Sequence, residues 1–547
     1  MRLLLLCLLL SPLQFFAQEQ VLSDGDRPES EVGAAINPQD QANLIVAAVN
    51  DFSPEQGTNG SRIAIYFTQD QGESWTKSSF EAVVDGGGDN TFTADPSVAF
   101  DHNGVAYLSY LVWLSGSTGI DARLYVARST DGGATWASEL IESRTDALID
   151  KPWLTSDLSP ASPRYGSVYL TYVLATGTFG DVLRVQARRK SAGADDFGAP
   201  VVVSPDNTFI YQRNPTVCVG ADGTVFLGFQ ASFNAGGIGF YTTRSTDGGQ
   251  TFSTPKRVTY FQFYLNAFSL LPTLDRKGLE RLYPCPQLAV DNSDGPHAGR
   301  LYASWTDKEE GLLGYGLDAY FSYSDDGGTT WVDGRRLHSD ATQLRNQYYA
   351  NIHVADNGEL LAAWYDRRAD PGNAVTHYYF ARSTDGGQTF IDEAPLTSFP
   401  TNFNQINLEN DGFGIGEYTS MVSAGGKAFP FWADGRTNNG DIRIYGSTVQ
   451  FDATGIRIGG DHQLVDFNWQ VQQQDRRVWV QLVLPEARPL RFAWVDMTGK
   501  VLWQSPLTPY AAQDHRVEVP TDMLPPGSYA LRLEAARARA ARVVVLP

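Results

Sequence analysis

Three short words recur along the chain: "WTDKE" (Trp305–Glu309), "WYDRR" (Trp364–Arg368) and "WADGR" (Trp432–Arg436), with "VND" (Val49–Asp51) as a partial copy. Each sets an Asp next to polar or cationic residues. A guanidinium forks onto a planar carboxylate through two bonds, and a carboxyl group can pass a proton. Asp366, Arg368, Asp434 and Arg436 are therefore candidates to grip a substrate. Recurrence also suits architecture, with each Asp capping backbone N–H groups. Residues that break the repeat are better site candidates: Lys151, Arg213, Glu417 and Tyr418. Near them in the pattern stand Glu31, Asp95, Asp150, Asn214 and Gln347. Two loops, "DNSDGPHAG" (Asp291–Gly299) and "NLENDGFGIGE" (Asn407–Glu417), are rich in oxygen ligands that suit Ca²⁺, but neither has EF-hand spacing. No His/Cys cluster for zinc and no phosphate-cradling Gly loop appears, so no cofactor is required by this reading.

The elements that must position these residues repeat. A unit opens with an extended segment such as "DPSVAFD" (Asp95–Asp101), turns, and continues with "VAYLSYLVW" (Val105–Trp113). A third segment, "ARLYVARST", leads into a tight turn, and "TWASELIES" leads out. Alternation, aromatic content and flanking Gly and Asp read all four as strands. Equivalents of the first segment begin near Val32, Lys151, Asn214, Pro286, Ala350 and Tyr418. About seven such units of roughly 60 residues predict an all-β fold, a seven-bladed β-propeller with six blades as the alternative. The last unit lacks a clear fourth strand. A strand near the N-terminus or "GIRIG" (Gly455–Gly459) is expected to complete it.

The tight turn is spelled "ARSTDGGATW" (Ala127–Trp136), "TRSTDGGQTF" (Thr243–Phe252), "SYSDDGGTTW" (Ser322–Trp331) and "ARSTDGGQTF" (Ala381–Phe390), with a looser "YFTQDQGESW" (Tyr66–Trp75) and a decayed "RKSAGADDF" (Arg189–Phe197). Its Asp can accept N–H bonds across its own turn, and its Gly supplies positive φ. The aromatic residue plugs between sheets. The turn is read as a structural staple between third and fourth strands, away from the binding mouth.

These turns resemble the Asp box of the sialidase/BNR-repeat superfamily over about Glu31 to Val449. The resemblance implies a propeller. It does not choose an activity, because Asp boxes also occur in non-catalytic proteins. For a sialidase it implies Arg213, Arg368 and Arg436 on the substrate carboxylate, Tyr418 as nucleophile with Glu417 drawing its proton, and Asp51 or Asp95 as acid/base. "ADPSVAFD" (Ala94–Asp101) is similar to the strand that opens the second blade of that family. The chain departs from the family where "VGAAINP" (Val32–Pro38) replaces the Phe/Tyr-Arg-Ile-Pro motif. Adjacent Glu417 and Tyr418 on a strand would also face opposite ways. Two readings follow: a secreted sialidase-like glycoside hydrolase, or a non-catalytic cell-surface propeller that binds glycan or protein.

The ends concern export. "MRLLLLCLLLSPLQFFAQEQ" reads as a signal peptide over residues 1–17, too short to span a bilayer, and no other segment has the length and apolarity of a membrane span. The propeller is assigned to 28–450, a linker to 451–464 and a small β-sandwich to 465–547. In the last, "DMTGKVLW" (Asp496–Trp503), "LPPGSYALRL" (Leu524–Leu533) and "RVVVLP" resemble the C-terminal sorting domain of the type IX secretion system of Bacteroidetes; a carbohydrate-binding or spacer domain is the alternative. The expected location is the medium or the outer-membrane surface, and the secretion machinery is an expected partner. A formal charge of −20 argues against nucleic acid, which needs clustered cations. Cys218 and Cys285 are read either as a disulfide or as two free thiols.

Overall fold

A computed structural model describes residues 18–23, 28–50, 62–83, 91–116, 119–176, 182–204, 209–233, 237–262, 284–308, 316–342, 344–403, 405–406, 415–436, 442–452, 455–458, 468–474, 476–484, 487–495, 501–525, 527–535 and 538–546. Residues 1–17, read above as a signal peptide, Asp51 and most of the 407–417 loop lie outside the described residues. The described chain is all-β, with no helix.

Seven antiparallel sheets follow one another among the described residues, five of four strands and two of five, taken largely in chain order. Their first strands are Glu29–Ile36, Thr91–Phe100, Leu148–Ser156, Phe209–Val219, Gln287–Val290, Gln347–Val354 and Ser420–Ala424. Each first strand touches the first strand of the next sheet, and the seventh touches the first. These strands therefore form a closed inner ring, with second, third and fourth strands stepping outward. Both segments offered by the sequence as alternatives for completing the last sheet pair with it. Gln18–Val21 pairs with Tyr445–Thr448 of the last sheet, and Gly455–Ile458 pairs with Val449–Asp452 beside it.

Apolar residues fill the seams between sheets. Ile45, Ala47 and Val49 of the first sheet pack on Val98, Leu108 and Tyr110 of the second. Leu111 and Leu124 then pack on Leu154 and Leu170 of the third. The second strands of the sheets are buried on both faces, which accounts for near-continuous apolar runs such as "LIVAAV".

The repeated turns lie at the sheet ends opposite the starts of the first strands, as the strand registers require. Asp131 shows the bonding. Its Oδ1 accepts from Ser129 Oγ at 2.8 Å and from the Thr135 N–H at 2.9 Å, while Oδ2 accepts from Thr135 Oγ1. Asp247, Asp326 and Asp385 repeat this pattern. Each turn also locks onto the preceding sheet. Gly132 O accepts from Asn43, Gly327 O from Arg244, and Gly386 O from Arg300. A Cβ on Gly387 would lie 2.9 Å from Phe321 of the sheet before, so glycine permits this approach.

Beyond Ile458, a three-stranded sheet (Asn468–Gln474, Arg477–Val483, Asp514–Val519) and a sheet centred on Arg488–Val495 and Gly527–Ala535 share one apolar cluster. Val478, Val480 and Leu482 point into it, facing Phe492, Trp494 and Leu531, while Arg477 and Gln481 alternate outward.

Candidate functional site

The inner ends of the first strands share one irregularity. The first, second, third, fourth and sixth of these strands each carry a register shift near the start, between Ser30 and Gly33, Ala94 and Ser97, Asp150 and Trp153, Arg213 and Thr216, and Tyr348 and Asn351. Inside the shifts sit Glu31 (φ 55°), Asp95 (53°), Lys151 (50°), Asn214 (50°) and Tyr349 (53°), all left-handed; Cys285 (44°) takes the same conformation just before the fifth strand. An extra residue in one strand of a pair bends that strand and re-aims its side chain. Four of the six are followed by proline, at 96, 152, 215 and 286. Proline has no N–H to leave orphaned where the ladder breaks. A left-handed non-glycine residue costs roughly 1–3 kcal/mol, so six of them around one ring need strong support from their surroundings.

Hydroxyls two residues beyond the corresponding positions supply part of that support. Ser97 Oγ accepts the Leu154 N–H of the next sheet at 3.0 Å, and Thr216 Oγ1 accepts the Leu288 N–H at 3.4 Å. Ser420 Oγ accepts the Ala34 N–H at 3.1 Å, which joins the last sheet to the first.

The re-aimed side chains converge. Lys151 Nζ lies 2.9 Å from Glu417 Oε2, 3.0 Å from Asp95 Oδ1 and 3.4 Å from Glu31 Oε1. It also sits 5.1 Å from the centre of the Tyr418 ring, which meets Trp153 edge-on at 5.6 Å. One ammonium of the third sheet thus touches acids of the first, second and seventh sheets. It can do so only because their inner ends meet near the ring axis. The group is buried: Lys151 is 8% exposed, Tyr418 7%, Asp95 4%, and Glu31 and Glu417 1% each. On the remaining arc the left-handed residues are uncharged: Asn214, Cys285 and Tyr349. Arg213, beside Asn214, is held by Asp150 at 3.1 Å.

Electrostatics follow from the geometry. Burial alone would depress the Lys151 ammonium, but Asp95, Glu31 and Glu417 outweigh it and hold its pKa well above the ordinary lysine value. Burial pushes the Tyr418 phenol well up, Glu31 and Asp95 push it further, and Lys151 only partly opposes them. Tyr418 is therefore a neutral O–H at physiological pH. The Cys285 thiol is raised by burial and by Glu417. Cys218 and Cys285 are both free thiols.

Of the residues singled out in the sequence, the structure brings Asp95, Lys151, Glu417 and Tyr418 together, with Arg213 flanking them. Glu417 and Tyr418 reach the same ammonium despite being adjacent. They precede the strand Ser420–Ala424, so strand alternation does not govern them. Asp366, Arg368, Asp434 and Arg436 lie elsewhere. Asp366 accepts from Trp364 Nε1 and Arg368, whose other nitrogen meets Glu393 of the outermost strand. Asp434 accepts from Trp432 Nε1 and Arg436, which meets Glu19 of the outer strand Gln18–Val21. Arg213, Arg368 and Arg436 are thus engaged by acids in three different places. In the oxygen-rich loop, Asp291 Oδ1 accepts from the Ser293 N–H and hydroxyl. Among the described residues no group of three or more His, Cys, Asp or Glu side chains is arranged to hold a metal. Cys285 and Tyr349 were not singled out as site residues. For Cys285 the available signal was the X-Pro pair repeated at four inner strands; Tyr349, followed by Ala350, carries no such signal.

No protein-family description and no curated sequence matches the chain. Among solved structures it is similar to the Hadza microbial sialidase Hz136, at 14% identity over 71% of this chain and 73% of that one, with a TM-score of 0.42. It is similar to the GH93 α-L-arabinofuranosidase of Fusarium graminearum at 12% identity, over 80% and 98% of the two chains, TM-score 0.42. It is likewise similar to a Dyadobacter fermentans protein of unknown function at 15% identity, over 64% and 93%, TM-score 0.41.

Proposed function

We propose that the chain is an exported glycoside hydrolase on a seven-bladed propeller, with a C-terminal β-sandwich that sorts it through type IX secretion machinery. The observation that supports the hydrolase reading is the axial cluster: three carboxyl groups and a phenol gathered round one ammonium, with Glu31, Asp95 and Lys151 on left-handed backbone. Hydrolysis of a glycosidic bond needs two carboxyl groups across it, about 5–5.5 Å apart when one acts as nucleophile. Oxygens of Asp95 and Glu417 both bond one Nζ, so they are at most about 6 Å apart, within reach of that geometry. In such a pair one carboxyl group acts as acid and the other as base or nucleophile. In this reading Asp95 and Glu417 exchange protons with substrate, Tyr418 donates its O–H, and Lys151 and Arg213 position them.

A panel of fluorogenic glycosides, a sialoside included, tests this. One member should be turned over, and Asp95→Asn should lower its kcat about 10²–10⁴-fold. The second reading, a non-catalytic glycan-binding propeller, is favoured by the engagement of all three candidate arginines with the protein's own acids. It prevails if no glycoside is cleaved while immobilised glycans still retain the protein.

A further inference from the structure

The uncharged arc of the axis holds an unfinished hydrogen-bond pair. Asn214 Nδ2 donates to Gln230 Oε1 at 3.4 Å. Gln230 is fully buried, on the second strand of the same sheet and opposite Arg213 in register. Among the described residues, Asn214 Oδ1 and Gln230 Nε2 are buried and find no partner. Exchanging N and O in both amides changes nothing essential: an amide NH2 and an amide oxygen, one on each of two hydrogen-bonded side chains, remain open. Buried polar atoms are normally paired, and an open pair carries a standing penalty.

A hydroxyl completes such a pair, because it donates to one atom and accepts from the other. A carboxylate only accepts and an ammonium only donates, so neither can satisfy both. The charged arc points the same way. Three carboxylates surround one ammonium, and Arg213 is already neutralised by Asp150. Among the described residues, an anionic sugar would meet repulsion there, and the flanking Arg213 guanidinium is already engaged by a carboxylate. We infer that the Asn214–Gln230 pair is the hydroxyl-reading, specificity-determining element of the axial site, and that the ligand is an uncharged sugar rather than a sialic or uronic acid. This rests on the glycan reading of that site.

The test uses the full chain on an array of neutral, sialylated and uronic-acid glycans, with the fluorogenic panel run beside it. Wild type should retain or cleave a neutral member in preference to the charged ones. Gln230→Met keeps the side-chain volume and removes the amide; it should weaken retention of that member at least tenfold with an unchanged melting temperature. Asn214→Asp, which keeps the left-handed backbone acceptable, should weaken it in the same way and serves if Gln230→Met does not fold. Sites built around a substrate hydroxyl discriminate strongly against its absence, so the deoxy analogue should lose its disadvantage in both variants. Preference for a sialylated or uronic glycan overturns the inference. So does unchanged retention in both variants, which would mean that the pair holds only a buried water. If Asp95→Asn abolishes turnover while both amide variants keep wild-type selectivity, the hydrolase reading stands and this inference fails. If no glycan is retained or cleaved, both fail.

Discussion

Asp95 binds Lys151 twice: Oδ1 meets the Nζ at 3.0 Å, and Oδ2 accepts the Lys151 backbone N–H at 3.2 Å. The carboxylate of one inner strand thus holds both the side chain and the strained backbone of the next. Removing the ammonium leaves Glu31, Asp95 and Glu417 facing one another in a buried space. Lys151→Met should therefore lose about 3–5 kcal/mol at pH 7, the scale for breaking a buried ion pair. The loss should shrink towards pH 5, where protons can replace the missing cation. The sign for wild type is opposite in pH. Lys151 has a raised folded pKa. Its stabilisation is complete below about 10.4, the ordinary lysine value, and fades only as pH climbs above it. Urea unfolding of both proteins at pH 5, 7 and 10 checks this; equal midpoints at pH 7 would sink it.

The repeated turns predict an acid limb. Partial burial pushes their carboxyls up, but hydroxyl and backbone N–H bonds outweigh it and bring Asp247, Asp326 and Asp385 down to about 2. A depressed folded pKa means stability that is present above about 3.9 and lost as pH falls through 2. Melting curves between pH 5 and 2 should show this loss, and a variant with all three changed to Asn should show a flatter slope in that window. Asp131→Ala alone should cost about 1 kcal/mol, the scale of an exposed set of turn bonds, with no change in glycan retention.

How much of this was readable in advance differs by element. "DPSVAFD" and "VAYLSYLVW" overlap the strands Thr91–Phe100 and Ala106–Gly116, each overrunning by one residue, because a local alternation of apolar residues was enough to read them. The turn around Asp131 was readable because the bonds of the Asp131 carboxylate run to residues no more than four positions away. The Lys151 junction was not. It joins residues 31, 95, 151 and 417, and their meeting depends on how the whole ring closes. The left-handed positions were half visible. Proline after Asp95, Lys151, Asn214 and Cys285 steers the preceding residue away from right-handed helix, but it does not say which other region that residue takes.

The N-terminal strand should matter for stability. Glu19 accepts from Arg436 at 2.5 Å and from Ser398 of the sixth sheet, and Gln20 accepts from Trp75 of the first. Residues 18–21 therefore touch three consecutive sheets. Glu19→Ala leaves Arg436 with Asp434 alone and should cost about 3 kcal/mol, within the range for a broken buried pair. Deleting 18–21 should cost more. Differential scanning calorimetry on both proteins reads this directly, and melting within a degree of wild type would contradict it.

Export is tested at the other end. The cluster shared by the two C-terminal sheets includes Leu524, Tyr529, Leu531 and Leu533. Removing 524–547 takes away an entire edge of that core. In a host with type IX secretion, the truncated protein should accumulate in the periplasm, and fractionation with immunoblotting shows where it goes. Surface delivery of the truncation at the wild-type level would refute the sorting role.

Tyr418 separates two chemistries at the axis. Burial first, and then Glu31 and Asp95, keep its phenol protonated far above neutrality. A resting phenolate would require Lys151 to outweigh two carboxylates and the lost hydration, which the raised phenol pKa opposes. If the site cleaves glycosides, Tyr418 serves as a neutral donor. Tyr418→Phe should then lower kcat by about a hundredfold, the lower end for loss of a positioned proton donor. The wild-type rate should show no rise between pH 7 and 9, because no phenolate forms in that interval. A rate that climbs with pH in wild type, and not in Tyr418→Phe, would assign the tyrosine a nucleophilic role instead. The comparison needs only the substrate found by the glycoside panel, assayed at saturation across that pH range.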